Sequence, residues 1–331
     1  MIWGVTHKVI GSNKENPALL DIMDLKTKQI TSIPVPVFTP EKDRAAMEHN
    51  KKVSNRNKDE RGPYVIAKMD KNQQLETKDI SLTIRDLFVR LLPFAPFNGE
   101  PFEINGVPLR NVDIAKIWDK NLDDTKKALT IMEDTFGLIG KVPDKQDSRH
   151  RNYCLSDEFF VKGSLNTTEY TVKIFQRKLK EVEHNIKQIE KRKNRMRTRY
   201  GKKTIRINAL GILHAVLPYF HYQTYYLCKN PNDDIIKDGE TVSQALDKRP
   251  KSIKHLSKNF LCQILGGEGK KIDPRTLEDL FEILIEAGAV LGIKGGKRTV
   301  YKIHPDLMFR SDSLGNDEYT ISVRNDFEAT N

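Results

Sequence analysis

Residues 299–310, TVYKIHPDLMFR, have a counterpart roughly 150 residues earlier in residues 150–162, HRNYCLSDEFFVK. Each stretch passes from a strand-like alternation through a short acidic break to a pair of bulky apolar residues. The paired positions are Tyr153 and Tyr301, Leu155 and Ile303, Glu158 and Asp306, Phe159 and Leu307, and Phe160 and Met308. Such a repetition predicts that one structural unit is built twice along the chain.

The segments before the first copy follow an order that is typical of one fold. ISLTIRDLFVRLL has apolar residues at helical spacing and stops at Pro93. FEINGVPL is a short extended piece with an Asn-Gly turn, and NVDIAKIWD and LDDTKKALTIMEDTFG predict two further helices. LIGKVPDKQDSRHRNYCLSDEFF then predicts two strands around a tip rich in Lys, Arg and His. This order of helix, short strand, two helices and a hairpin with a basic tip is that of a winged helix-turn-helix, which the sequence therefore predicts.

The second half repeats this order. KTIRINALGILHAVLPYF matches the first helix, DPRTLEDLFEILIEAGAV matches the third, and LGIKGGKRTVYKI is a tighter hairpin. Between them, TVSQALDKRPKSIKHLSKNFLCQIL can be divided in two ways. Either residues 251–264 form a basic helix that reads DNA, or residues 274–287 take that role. We favour residues 251–264, because the later helix is acidic and acidic helices are repelled by phosphates.

A strongly basic segment joins the two units. Between Lys173 and Arg206 lie fourteen basic and three acidic residues, a net charge of +11 that equals the net charge of the whole chain. The segment predicts a long helix with apolar residues spaced four and three apart, as in a helix that packs on another helix. These apolar residues are Phe175, Leu179, Val182, Ile186 and Ile189. A polyanion is the expected partner, and nucleic acid is favoured over a membrane because no large apolar face accompanies the charge.

The predicted fold class is therefore mainly α with small β-hairpins (α+β), with two winged helix-turn-helix domains joined by a long basic helix. We expect a small β-containing N-terminal element with a mobile loop in residues 1–75. The first winged-helix domain is expected at 76–166, the long basic linker helix at 167–204 and the second winged-helix domain at 205–325. Residues 326–331 are expected to form a tail.

The sequence contains no pattern that indicates an enzyme. The stretches GGEGKKI and GIKGGKR fail the spacing of a phosphate-binding loop, and no arrangement of His, Arg and Tyr fits a tyrosine recombinase. Three scattered cysteines offer no zinc-ligand spacing and fit a reducing cytoplasm. We expect no catalytic residue, no metal and no cofactor, no membrane association, and a cytoplasmic location on nucleoid, plasmid or phage DNA.

The candidate DNA-binding residues are the basic residues that a winged helix would present to a groove. In the first unit they are Lys126 and Lys127 on the third helix and Lys145, Arg149, His150 and Arg151 on the wing. In the second unit they are Lys251, Lys254, Lys258, Lys297 and Arg298. The linker adds Arg192, Lys193, Arg195, Arg197, Arg199, Lys202 and Lys203 as contacts to the phosphate backbone.

In this arrangement the chain resembles the replication initiators of plasmids and phages, which have two winged-helix domains joined by a long helix. Its closing stretch, VYKIHPDLMFRSDSLGNDEYTISV, is similar to the end of the Gram-positive plasmid replication proteins. There a wing strand runs into a segment that Ile303, Pro305, Leu307, Met308 and Arg310 match here. The resemblance implies binding to origin repeats as a monomer or dimer, local distortion of the duplex, and recruitment of host replication proteins without enzymatic activity.

Two alternatives stay open. A transcriptional repressor of a phage or plasmid would use the same fold as a dimer on a palindromic operator. A winged-helix protein-interaction scaffold would carry the basic segment as a solvated surface. Candidate partners are thus double-stranded DNA, a second copy of the chain and host replication proteins.

Overall fold

In a computed structural model of the chain, the described residues are 7–12, 19–34, 59–144, 151–163, 169–237, 239–266, 270–295, 298–310 and 314–330. The chain divides after Lys58 into two units. The first unit contains an antiparallel sheet of three consecutive strands, β1 (His7–Ser12), β2 (Leu19–Asp24) and β3 (Ile30–Pro34). The loop expected to be mobile in this part of the chain lies largely outside the described residues.

The second unit, from Asp59 onward, mixes helices with small antiparallel sheets, which confirms the predicted α+β class. Its helices are α1 (Met69–Gln74), α2 (Leu82–Val89), α3 (Asn111–Trp118), α4 (Leu122–Thr130), α5 (Gln176–Arg199), α6 (Leu210–Ala215), α7 (Val242–Lys248), α8 (Lys258–Gly266), α9 (Pro274–Glu286) and α10 (Glu318–Thr330). Its strands are β4 (Tyr64–Lys68), β5 (Glu103–Ile104), β6 (Val107–Pro108), β7 (Ile139–Pro143), β8 (Arg151–Leu155), β9 (Phe160–Val161), β10 (Thr171–Phe175), β11 (Val290–Gly295), β12 (Arg298–Ile303) and β13 (Met308–Phe309).

A four-stranded sheet in the order β13-β10-β4-β9 joins the two halves of this unit. Strands β4 and β10 run antiparallel at its centre, with Ile66 opposite Lys173. The ends of this pair match each other: Gln176 N–H donates to the Pro63 carbonyl, and Met69 N–H donates to the Tyr170 carbonyl. The hydrogen bonds of the sheet therefore repeat about a local two-fold axis that passes through the central residue pair.

The same backbone hydrogen bonds recur in the two halves, which we call repeat 1 (residues 63–163) and repeat 2 (residues 170–310). In repeat 1 the Tyr153 carbonyl accepts from Phe102 N–H, and the Phe102 carbonyl accepts from Leu109 N–H. In repeat 2 the carbonyls of Tyr301 and Leu227 accept in the same way, from the N–H groups of Leu227 and Leu256 respectively. The two hairpins, β7–β8 and β11–β12, are thus attached to their repeats by equivalent contacts.

This correspondence decides between the two divisions of the segment before α9. Helix α3 begins two residues after Leu109 and α8 begins two residues after Leu256, so these helices are counterparts. Helix α9 then corresponds to α4. The helix predicted over 251–264 is wrong in its bounds, because α8 spans Lys258–Gly266, and its DNA-reading role stays a prediction. The helix starts only at Lys258, because the residues before it are held in an extended connection. There Lys254 N–H donates to Asn230 Oδ1, and Cys228 forms a β-bridge with His255.

The third helices of the two repeats differ by one inserted residue. The interval from the N-cap Asn121 to Gly137 is one residue longer than the interval from the N-cap Asp273 to Gly288. Repeat 1 absorbs the extra residue in a π-helical turn, Ile131–Thr135. Both glycines have positive φ, 65° and 74°, as expected of residues that end a helix and start a hairpin strand.

The expected linker at 167–204 also requires correction. Residues Thr171–Phe175 form β10 at the centre of the four-stranded sheet, between β4 and β13. Helix α5, which follows, packs one side onto the core with Leu179, Val182, Ile186 and Ile189, each at most 4% exposed. Its apolar spacing was therefore interpreted correctly, but the first half of the helix belongs to the folded body and does not bridge two separate domains.

Helices α2 and α6 meet at close range between the repeats. Gly211 on α6 lies so near α2 that a Cβ atom there would stand 2.8 Å from Leu82 Cδ1 and 3.1 Å from Asp86 N, and closer still to the Leu82 carbonyl oxygen. Asp86 caps the start of α6 by accepting from Leu210 N–H at 3.0 Å. The same carboxylate is bonded at 2.7 Å by Arg90, which also reaches Glu183 of α5 at 3.3 Å.

Because backbone atoms surround the missing Cβ at this contact, Gly211→Ala is expected to lower the free energy of unfolding by about 2 kcal/mol. The measurement is the denaturation midpoint and slope in urea. Gly295→Ala is the matched control, since a Cβ there meets no atom within 4 Å. Equal stability of the two variants would contradict the close approach of α2 and α6.

A buried histidine lies in the same contact. His214 on α6 is 2% exposed, its Nδ1 lies 3.4 Å from Arg85 Nη1, and its Nε2 lies 3.2 Å from Asn72 Oδ1. Burial and, secondarily, the charge of Arg85 hold the pKa of His214 well below its ordinary value. The imidazole is thus neutral in the folded chain at neutral pH.

Because the unfolded chain binds a proton at His214 near its ordinary pKa of about 6.5 and the folded chain does not, stability should fall as the pH drops below that value. The expected contribution is about 1.4 kcal/mol per pH unit. His214→Gln keeps one donor and one acceptor but does not titrate, so urea titrations between pH 7.5 and 5 should show a slope reduced by about one proton. An unchanged slope would contradict a neutral His214.

Candidate nucleic-acid interface

The most basic surface of the described residues lies at the end of α5 and in the loop after it. The helix ends at Arg199, and Gly201 turns the chain with a φ of 66°. The loop then folds back along the helix, since Arg197 Nε donates to the Lys203 carbonyl at 2.7 Å. Asn194 extends this contact by bonding both the N–H and the carbonyl of Ile205, at 2.8 and 2.9 Å. The basic residues of the helix end and the loop therefore lie close together. We call them the basic cluster: Arg192, Lys193, Arg195, Arg197, Arg199, Lys202 and Lys203.

Most cations of this basic cluster have no acidic partner. Among the described residues, none forms a salt bridge with Arg195, Arg199, Lys202 or Lys203, and all four are exposed. Lys193 and Arg197 are half-buried. Arg192 is the exception, because its guanidinium pairs with Glu286 at the end of α9. Unneutralised cations at this spacing repel one another in water and are stabilised by a bound polyanion.

The basic cluster is fixed against the turn between α3 and α4. Arg206 donates to the carbonyls of Trp118 and Asp119, and Lys187 donates to the carbonyl of Ile117 at 3.2 Å. Two cations thus cap the C-terminal end of α3, where the helix dipole favours positive charge. Asn121 caps the start of α4 immediately afterwards, with its side chain accepting from Asp124 N–H at 2.8 Å.

Helix α4 presents both candidate lysines to solvent. Lys126 and Lys127 are exposed, and neither is in a salt bridge with a described residue. The opposite side of the helix buries Thr125, Ala128 and Leu129 in the core, which sets the orientation of the lysines. The positive charge is offset by Asp123 and Asp124 in the first turn, so the helix itself is close to neutral.

Only two of the six remaining candidate residues, those of the hairpins, are among the described residues. Arg151 is exposed at the start of β8, opposite Pro143, and Arg298 is exposed at the start of β12, opposite Gly295. The other predicted wing residues, Lys145, Arg149, His150 and Lys297, lie outside the described residues.

Repeat 2 does not gather its candidate residues on one helix. Lys251 and Lys254 are exposed but precede α8, and Lys258 pairs with Glu278 of α9. Helix α9, the counterpart of α4, exposes four carboxylates, those of Glu278, Asp279, Glu282 and Glu286. The structure therefore concentrates unpaired positive charge beside repeat 1, and sets an acidic helix at the matching place in repeat 2.

Lys187, Asn194 and Arg206 position the basic cluster, yet the sequence did not identify them as site residues. They belong to the same basic run, but their role depends on carbonyl groups 11 to 88 positions away in the chain. A charge count along the sequence detects the cluster and cannot assign such contacts.

Comparison with protein-family models, with curated proteins and with solved structures finds no match to this chain. No helix of the described residues is long and apolar enough to cross a membrane. In the same residues, no group of three or more His, Cys, Asp or Glu side chains is arranged to hold a metal ion. The resemblance to plasmid and phage initiators therefore stays a prediction.

Proposed function

We propose that this chain is a non-enzymatic protein that binds double-stranded DNA, and that repeats 1 and 2 are winged helix-turn-helix units. The observation that carries the proposal is the basic cluster, with its unpaired cations fixed beside the α3–α4 turn by Arg206 and Lys187. In a helix-turn-helix protein that turn lies over the phosphate backbone, and the following helix enters the major groove.

The division of roles follows from the charges. Arg195, Arg199, Lys202 and Lys203 would neutralise phosphates and supply affinity without sequence preference. Lys126 and Lys127 on α4 would face base edges, and Arg151 would bring the hairpin to the adjacent backbone. Every one of these side chains is exposed, so none has to leave a buried partner to reach DNA.

The difference between the repeats favours a replication initiator of a mobile element over a repressor. A dimeric repressor reads a palindrome with two identical recognition helices. Here α4 is close to neutral, α9 is acidic, and Arg192 and Lys258 already pair with carboxylates of α9. A single molecule with such unequal halves would suit direct repeats, each bound by one molecule in one orientation, whereas a palindrome would be read by the α4 helices of two copies.

The DNA-binding proposal is tested with Arg199, Lys202 and Lys203 all replaced by Gln. Removal of each cation that neutralises a phosphate should lower the log–log salt slope by about 0.9, so the triple variant should bind duplex DNA with a slope smaller by roughly 2 to 3. The measurement is fluorescence anisotropy of a labelled duplex between about 50 and 200 mM salt.

The matched control replaces Lys78, Arg177 and Lys237, also exposed and outside the basic cluster, with Gln. It should retain the wild-type slope. An equal decrease of the salt slope in both variants would mean that binding depends only on the overall charge of the protein. Absence of DNA binding by the wild type would favour a protein-interaction scaffold.

The initiator role is tested by cloning the gene with its flanking DNA on a vector that lacks an origin. Propagation that is abolished in the Arg199, Lys202 and Lys203 variant supports initiation, because it depends on the same cations as binding. The repressor hypothesis would replace the initiator hypothesis if the vector fails to propagate, a reporter is repressed, and a footprint shows a protected inverted repeat.

A further inference from the structure

The apolar stripe of α5 continues past the part of the helix that the core covers. Its positions follow one another four and three residues apart, and after Ile189 the same spacing reaches Lys193, Met196 and Tyr200. Ile189 is 4% exposed, whereas Met196 is 47% and Tyr200 68% exposed. Among the described residues, the elements that bury the first part of the stripe therefore leave its last part open.

Met196 and Tyr200 lie on the same side of the helix. Tyr200 follows the last helical residue, and its N–H still donates to the Met196 carbonyl, at 3.3 Å. Residues four positions apart in such a turn are neighbours, so the thioether and the phenol ring form one exposed apolar surface. We call these two residues the exposed pair.

Cations flank the exposed pair along the chain. Arg195 and Arg199 belong to the last turns of α5, and Lys202 and Lys203 follow in the loop; all four are exposed and form no salt bridge within the described part of the chain. Residues 191–206 contain no acidic residue. An apolar surface framed by such cations is complementary to a ligand that is both anionic and aromatic.

Two other occupants fit this surface less well. A second copy of the stripe would bring Lys193, Arg195 and Arg199 against their own counterparts, with no acidic residue in 191–206 to offset the repulsion. A membrane surface is bound through a continuous apolar face, and on α5 that face is buried up to Ile189. A nucleic acid matches both the charge and the small apolar area.

The exposed pair also distinguishes between forms of nucleic acid. In a paired duplex the bases stack on one another, so a protein meets phosphates and base edges. An unpaired base presents its face, and stacking of that face on an aromatic side chain binds single strands without sequence preference. Sulfur makes favourable contacts with aromatic rings, so Met196 would contact the same base.

We propose that the basic cluster also binds single-stranded DNA, with one unpaired base stacked on Tyr200 and in contact with Met196. Arg195, Arg199 and the two loop lysines would neutralise the phosphates on either side of that base. This inference deepens the proposed function and rests on it, because the same cations would bind the backbone of a duplex. It adds a substrate class and a role for an exposed aromatic ring that phosphate contacts do not use.

The test compares two fluorescein-labelled probes in anisotropy titrations with the full chain, an oligothymidine strand of about 16 nucleotides and a duplex of the same length. Tyr200→Ala should weaken binding of the single strand about tenfold, as expected for the loss of one base–aromatic stack. Its affinity for the duplex should stay within about twofold and its salt slope should not change, because no cation is removed. Tyr200→Phe should bind the single strand as the wild type does, since the ring and not the hydroxyl stacks.

Phe97→Ala is the matched control, because Phe97 is also an aromatic residue, 56% exposed, and lies outside the basic cluster. This variant should bind both probes as the wild type does. Thermal unfolding should give the wild-type midpoint for all three variants, since each replaced side chain is more than half exposed.

Absence of duplex binding by the wild type would overturn the proposed function, on which this inference rests. If the wild type binds the duplex, equal binding of the single strand by the wild type and by Tyr200→Ala would overturn this inference alone. An equal loss for both probes would do the same, because Tyr200 would then contribute to DNA binding without a preference for unpaired bases. A loss confined to co-sedimentation with phosphatidylglycerol vesicles would assign the exposed pair to a membrane surface instead.

Discussion

The contact between α2 and α6 holds the second unit together, and a buried charge lies at its centre. Burial raises the pKa of the Asp86 carboxyl, while Arg90 counteracts this effect by pairing with the carboxylate. Arg90 also bonds the Ile207 carbonyl and Glu183, so one guanidinium joins α2, the start of α6 and helix α5. Removing one member of a buried pair costs about 3–5 kcal/mol because the other charge is left without a partner. Separating the two repeats would therefore cost a large amount of free energy.

The same set of buried contacts also fixes helix α5, and with it the position of the basic cluster on the surface. Glu183 lies on α5 seven residues before Glu190, which accepts from Ile207 N–H at 2.7 Å. The same helix then bonds Ala287 through Asn185 and Glu286 through Arg192. Since α5 is fixed along its length by both repeats, its last turns hold the basic cluster at a defined place beside α3. A rigid array of cations loses little conformational entropy when it meets a rigid polyanion.

The parts of this fold that could be predicted are those that local patterns specify. The apolar spacing of ISLTIRDLFVRLL and of LEDLFEILIEAG predicted helices that the structure shows as Leu82–Val89 and Pro274–Glu286. The Gly295-Gly296 turn likewise predicted the hairpin β11–β12. In the candidate site, exposure of the cluster cations could be inferred because a dense run of like charge cannot be buried.

Long-range pairing decided what could not be predicted. Strand β10 was assigned to a linker because its partners, β4 and β13, lie more than 100 residues away on either side. Residues 251–257 were predicted to be helical, but they form a turn and then an extended connection in which Lys254 N–H donates to Asn230 Oδ1. The pairing of Arg192 with Glu286 joins α5 to a helix that the charge pattern described only as acidic. None of these contacts leaves a signal within one window of sequence.

The local two-fold axis through Ile66 and Lys173 has a consequence for the ways in which this sheet could be assembled. Strands β4 and β10 present the same hydrogen-bonding edge to each other, so either strand could face a copy of itself with identical geometry. Two molecules containing a single repeat would then build the same four-stranded sheet as an isologous dimer. The second unit of the present polypeptide therefore has, within one chain, the strand arrangement of such a dimer.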